Sequence, residues 1–329
     1  MVSPAFQLGK GAGALSGAEA VGLYLSGRGP GQDIRSPGGG RHPDRLPRPG
    51  AGNPSNVCPG MRKARRRSAP EILRSERAMN IKLERAEAKA YVDQIYRKVA
   101  KRWQERVTDA EFMKRLSSGT LSKKALRMFF KNWAAYTIEI NTLEAATYHK
   151  HIHFFRKHRD LMAAMAQKLA DELVHPKPPG HIHVVLETAK ALGIAEDDVF
   201  VSPMLAEFRA KIDYFRAIVW EGTMAEFYAA GATEEQFGYW AGEVFNALTR
   251  HYGLTAKEAV YFSLHEEADT REHEDGIMGH GSFRRLVLQR LLEDGAEVRP
   301  GYTLEYCALT AIDLHGVVLQ AALHAAERE

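Results

Sequence analysis

His265, Asp269 and His273 recur at intervals of four in YFSLHEEADTREHEDG, residues 261–276. At about 100° per residue, an α-helix carries all three within an arc of about 80°. Two imidazoles and a carboxylate on one face are a partial ligand set for zinc, iron or manganese, which accept nitrogen and oxygen donors. Glu266, Glu267, Glu272, Glu274 and Asp275 crowd the same stretch. A solvated acidic helix with incidental histidines therefore explains this segment equally well. Ligands from other elements must decide.

The segment TIEINTLEAATYHKHIHFF, residues 137–155, offers some. Glu144 and His151 are seven apart and share a helix face within about 20°. Glu139 and His149 are about 80° out of line unless a local bulge re-phases them, so the first pair is preferred. Tyr148 shares the face of Glu144 and His151, as a hydrogen-bonding neighbour with a catalytic role or as a packed core tyrosine. A further carboxylate is sought in AIVWEGTMAEFYAAG, residues 217–231. Glu226 lies there among Met224, Phe227 and Tyr228, and a carboxylate so placed must pair, bind metal or protonate. Glu221 and Glu234 are the alternatives. The expected metal ligands are thus Glu144, His151, Glu226, His265, Asp269 and His273. Three carboxylates and three imidazoles suit two ions.

The elements that must position these residues read as helical from Met79 onward. The apolar-rich run from Lys123 to His158 is too long for one unbroken surface helix and is expected to kink near Asn141. Ser202-Pro203 has the form of a helix start, for a helix running to Gly231. Thr233 with Gln236, and Thr255 with Glu258, have the form of capping boxes opening the next two helices. HIHVVLE, residues 181–187, is the nearest thing to a strand, and its continuation reads helical. The expectation is an all-α bundle of roughly eight helices forming a single domain, residues 79–329.

Residues 1–78 differ in kind. They hold 14 of the 28 Gly, 9 of the 14 Pro, and 13 Lys and Arg against 5 Asp and Glu. With a chain total of +4, the remainder carries about −4, so the basic balance gives no reason to expect nucleic-acid binding by the body. The head has too little apolar mass to offset its ordering entropy and is expected to be disordered. It reads as a stretch upstream of a natural start at Met61 or Met79. Two distant cysteines, Cys58 and Cys307, exclude a disulfide framework and suit a reducing cytoplasm, with Cys307 a buried core residue. No run of about 18 apolar residues is evident, so no membrane span is expected.

At Glu144…His151 and His265…Asp269…His273 the chain resembles the haem-oxygenase-like diiron oxidases and oxygenases of the TenA/PqqC-like superfamily. HYGLTAKEAVYFSLHEEADTREH, residues 251–273, carries most of the likeness, which spans roughly residues 111–327. That family places Glu-x6-His on one core helix, a lone Glu on another and His-x3-Asp-x3-His on a third. The resemblance implies a haem-oxygenase-like bundle of about seven core helices around two iron ions. It also implies oxidation of a small organic substrate, often amine-bearing or amino-acid-like, by dioxygen. An external electron donor and a homodimer are compatible with it. The alternatives are a metal-free relative, resembling TenA thiamin-salvage hydrolases or the PqqC cofactorless oxidase, and a non-enzymatic helical interaction protein.

Overall fold

Ala88, Val92, Ile95, Tyr96, Val99 and Trp103 recur at helical spacing and form the buried stripe of α1 (Arg85–Trp103). A short strand, β1 (Met79–Ile81), precedes it, and α2 (Glu111–Ser117) follows. Ser122 caps α3 (Lys123–Lys150), its hydroxyl accepting from the Ala125 amide at 3.1 Å, an arrangement that stabilises a helix start by about 1 kcal/mol. Next come α4 (Ile152–Lys157), α5 (Arg159–Leu173), α6 (His181–Ala191) and α7 (Glu196–Phe200). The second half holds α8 (Ala206–Glu221), α9 (Met224–Ala230), α10 (Glu234–His251), α11 (Val260–Thr270), α12 (His280–Asp294) and α13 (Leu304–Arg328). The computed structural model describes residues 78–270 and 278–328, all within one compact unit spanning Ser68–Glu329. The basic head, Cys58 and His273 lie outside the described residues.

The protein is an all-α bundle. α3 and α13 pack together at its centre, with α8 and α6 against α3 and with α1, α8 and α9 against α13. α10 and α11 form an intimate pair, and α12 lies against α1, α9 and α11. Phe129, Trp133, Phe237 and Trp240 fuse into one aromatic cluster, with Trp133 stacked on both Phe129 and Phe237. Cys307 is fully buried in α13, as expected.

Several local expectations are corrected. α3 runs unbroken through Asn141 and ends at Lys150, with the Asn141 side-chain amide donating across the bundle to Glu172. Ser202-Pro203 does not open a helix; α8 starts at Ala206. It ends before Gly222, and Thr223 caps a separate α9 through a reciprocal bond pair with Glu226. Thr233 does precede α10, but its side chain makes no capping bond. The Thr255–Glu258 box forms in full, just ahead of α11. A two-stranded ribbon, missed at sequence level, pairs β1 with β2 (Ala296–Val298) antiparallel, Asn80 opposite Glu297; three residues are too few for alternation to register. By length and composition α13 could cross a membrane, against the sequence expectation, yet 61% of its apolar window is buried inside the protein. It serves as the core helix.

Candidate metal centre

Two trios of nitrogen and oxygen donors converge in the core. Glu172, His181 and His265 bring one ligand atom each within 4.8 Å of one another, and so do Glu234, Asp269 and His280. The trios adjoin: His280 Nδ1 lies 3.8 Å from Glu172 Oε1. All six are buried except Glu234, which is half-buried.

The backbone explains how they meet. Glu172 is on the last turn of α5 and His181 is the first residue of α6. The intervening turn closes at Gly180, whose φ is 71° and where a Cβ would lie 2.3 Å from the Glu172 carbonyl oxygen. Only glycine tolerates both that dihedral and that approach. The turn returns His181 Nδ1 to 3.0 Å from Glu172 Oε2, which also accepts from Asn141 Nδ2 at 2.9 Å. His265 and Asp269 are one turn apart on α11, as the spacing predicts. Glu234 and His280 are the first residues of α10 and α12.

Burial and neighbouring charges set the protonation of these donors. Burial, aided by His181, depresses His265 to about 4, so its ring is neutral near pH 7. His265 Nδ1–H donates to the Tyr261 carbonyl at 2.8 Å, which leaves Nε2 as the donor for a metal, the usual way such a ring is oriented. Burial alone would raise the Glu172 and Glu234 pKa values. His181 and Lys168 outweigh it at Glu172, and Arg284 and Lys168 outweigh it at Glu234, so both stay ionised. Burial and Lys168 push His280 down, but Asp171 and Asp269 carry it up to about 9. Asp269 Oδ2 has no hydrogen-bond partner although buried. A lone carboxylate oxygen without a partner in the core is costly, and a metal ion would satisfy it. The donor set therefore fits.

Beside the trios runs a charge network. Lys168 Nζ contacts Glu234 at 3.0 and 3.1 Å. Arg284 Nε lies 2.6 Å from Glu234 Oε2, and its Nη2 donates to Glu144 Oε2 at 2.5 Å. Gly231 makes room, since a Cβ there would fall 2.2 Å from Arg284 Nη1. Four carboxylates (Glu144, Glu172, Glu234 and Asp269) thus face two permanent cations, Lys168 and Arg284. The surplus negative charge is left to histidine protons or to metal.

Of the sequence-predicted residues, the structure brings together His265 and Asp269. Glu144 stands beside them as a partner of Arg284, not in either trio. His151 is half-buried at the C-terminal end of α3, where burial and then Lys150 depress it to about 4, and it belongs to neither trio. Tyr148 packs edge-on against Phe155 at 5.0 Å, away from the cavity. Glu226 is fully buried but committed to Arg299, whose backbone amide and Nε donate to it at 2.6 and 2.7 Å. Pairing is the resolution its apolar setting required. Glu226→Ala is expected to cost about 2–3 kcal/mol in a denaturant titration while leaving metal content unchanged. Glu221 is exposed, His149 is exposed, and Glu139 pairs with Arg209. Glu172, His181 and His280 were not foreseen, and Glu234 only as an alternative.

The trios border a cavity of about 110 Å³ walled by Trp133, Tyr136, Phe237 and Tyr261, with Lys211 and His315 also lining it. A helical bundle with a buried carboxylate–histidine centre opening on an aromatic cavity defines the class of protein. Residues 96–252 match the TENA/THI-4/PQQC family. It is 25% identical over 189 residues to a Chlamydia pneumoniae protein named 4-aminobenzoate synthase, covering 55% of this chain and 75% of that one. Among solved structures, a TenA homolog from Pseudomonas syringae pv. tomato superposes with a TM-score of 0.55 at 14% identity, covering 77% of this chain and all of the other. A domain of unknown function with a heme oxygenase-like fold from Shewanella denitrificans gives 0.52 at 17% identity, covering 72% and 91%. At these identities the structural likeness is one of fold. Of these, the Chlamydia pneumoniae relative is named as an enzyme.

Proposed function

We propose that the protein is an oxidase or oxygenase that acts on a small organic molecule with dioxygen, using two iron ions held by Glu172, His181 and His265 and by Glu234, Asp269 and His280. The observation that carries this reading is the pair of adjoining buried trios, with Asp269 Oδ2 lacking any other partner. Iron bound there supplies electrons to dioxygen and a Lewis-acid surface. The chain supplies the rest. Tyr261 fixes the His265 tautomer, Lys168 and Arg284 keep Glu234 ionised, and the aromatic walls exclude water and hold a small substrate. An amine-bearing or amino-acid-like substrate, an external electron donor, a homodimer and a cytoplasmic setting belong to the same proposal, on the strength of the resemblance and the cysteine usage.

One observation favours a second reading, a metal-free enzyme of the same superfamily: Lys168 and Arg284 already neutralise part of the acidic cluster. A cysteine-dependent hydrolase is the weaker form of it, because burial pushes the Cys307 thiol up to about 12 and Cys307 does not line the cavity. Anaerobic iron loading followed by metal analysis separates the two. About two irons per chain, with dioxygen consumed when a reductant is added, is the expected result. No iron above a chelated control overturns the metal reading.

A further inference from the structure

Lys211, on α8, is a buried cation without an anion. Its side chain is 4% exposed, and no carboxylate among the described residues pairs with it. Its Nζ donates to His315 Nδ1 at 3.0 Å and sits over the rings of Tyr136 and Trp133, 4.6 and 5.2 Å from their centroids. His315, on α13, is equally buried, and its Nε2 has no partner. Both residues line the cavity. A desolvated ammonium with only a neutral ring and two aromatic faces is poorly compensated, because burying an unpaired charge is expensive. Burial alone brings its pKa down to about 7. The other buried lysine among the described residues, Lys168, is paired with Glu234, so burial of a lysine does not by itself explain this arrangement.

From Lys211 an aromatic wall leads to the candidate metal centre. Trp133 stacks on Phe237 at 5.7 Å, and Phe237 meets His265 edge-on at 5.3 Å. A molecule lying along that wall would have the ammonium at one end and face the trio containing His265 at the other. The cavity, about 110 Å³, is of the order of the roughly 150 Å³ engineered core cavity that takes up benzene, which sets the size at one ring or a short chain.

We propose that Lys211 and His315 form an anion subsite that holds the carboxylate of a small organic acid, with the remainder of the molecule along Trp133 and Phe237 toward His265. The direction of the substrate, though not the subsite itself, rests on the metal-centre reading. The ammonium and the His315 Nε2–H would each donate to a carboxylate oxygen, and charge-assisted bonds of this kind in a dry site are strong.

The test is calorimetric titration of benzoate and of its neutral analogue benzamide into the full-length protein, with and without iron. The wild type should bind benzoate about tenfold or more tighter than benzamide, and Lys211→Met, verified as folded by its circular dichroism melt, should lose that preference. Should that variant not fold, methylation of Lys211 by formaldehyde and cyanoborohydride in the wild type, read by peptide mass, must be slowed by benzoate and not by benzamide. Equal affinity for the two ligands, an undiminished preference in folded Lys211→Met, or no protection of Lys211 overturns the subsite. A benzoate preference in protein that binds no iron would keep the subsite and discard the metal reading. Iron binding without the preference would do the reverse.

Discussion

His265→Ala and Asp269→Asn should each lose at least about 100-fold in iron affinity, because removing even an outer partner of a metal ligand costs about 10- to 100-fold. After anaerobic loading and desalting, iron per chain is expected to fall from about two to one or fewer. Dioxygen consumption should fall with it. The choice of variants matters. Alanine at 265 removes the ring that Tyr261 orients, whereas asparagine at 269 keeps the shape and removes the charge behind Oδ2. The same measurement on His151→Ala and Tyr148→Phe should give the wild-type iron content, since neither residue belongs to a trio. Loss of iron in His151→Ala, with retention in His265→Ala, would replace the ligand set proposed above by one built on α3. Iron uptake near neutral pH should also release a proton from His280, because Asp171 and Asp269 hold that ring protonated until a metal displaces the proton.

The bundle was legible in the sequence because its evidence is repeated. α1, α3 and α13 each present many buried apolar residues at helical spacing, and any one of them could change without hiding the period. The candidate centre was legible only on α11, where His265 and Asp269 share a face of one helix. Helical spacing alone links pairs one or two turns apart on a single rod, such as Glu144 with His151. The fold instead gathers donors at helix ends: Glu172 closes α5, while His181, Glu234 and His280 open α6, α10 and α12. A residue at a helix end is positioned by the turn beside it, so the 3.6-residue period carries no record of it. One signal was present at the segment that stops α5, HPKPPGH. A glycine that must take a positive φ stands between an acid nine residues before His181 and His181 itself, and that pattern marks a close return of the chain. Glu226 shows the converse. Its apolar neighbours correctly required a partner, but nothing local could tell Arg299, 73 positions away, from a metal ion.

Arg284→Met is expected to be among the most destabilising single changes in the protein, at about 3–5 kcal/mol, the usual cost of removing one member of a buried ion pair. For a bundle of this size that corresponds to a fall of roughly 6–20 °C in melting temperature. Arg284 bridges Glu144 and Glu234. In its absence Glu234 retains Lys168, but Glu144 keeps no hydrogen-bonded cation among the described residues, and its Oε1 already lacks a partner. The sign of the pH dependence identifies the cause. In the wild type the folded pKa of Glu234 is held below its unfolded value by Arg284 and Lys168 against burial, so the stability it contributes is present above about pH 4.5 and is lost as pH falls toward the folded value. In Arg284→Met only Lys168 of these two cations remains to hold Glu234 ionised, so its contribution is smaller and the gap from wild type narrows as pH falls below about 4.5. Adding Glu144→Leu should restore most of the loss at pH 7, because replacing both members of a buried pair by apolar groups is often close to neutral. Iron should recover part of it by a different route, giving Glu234 a second cation while doing nothing for Glu144. A double variant no more stable than Arg284→Met would mean that the arginine acts through its packing on Phe227 and Tyr228 and not through the charge of Glu144.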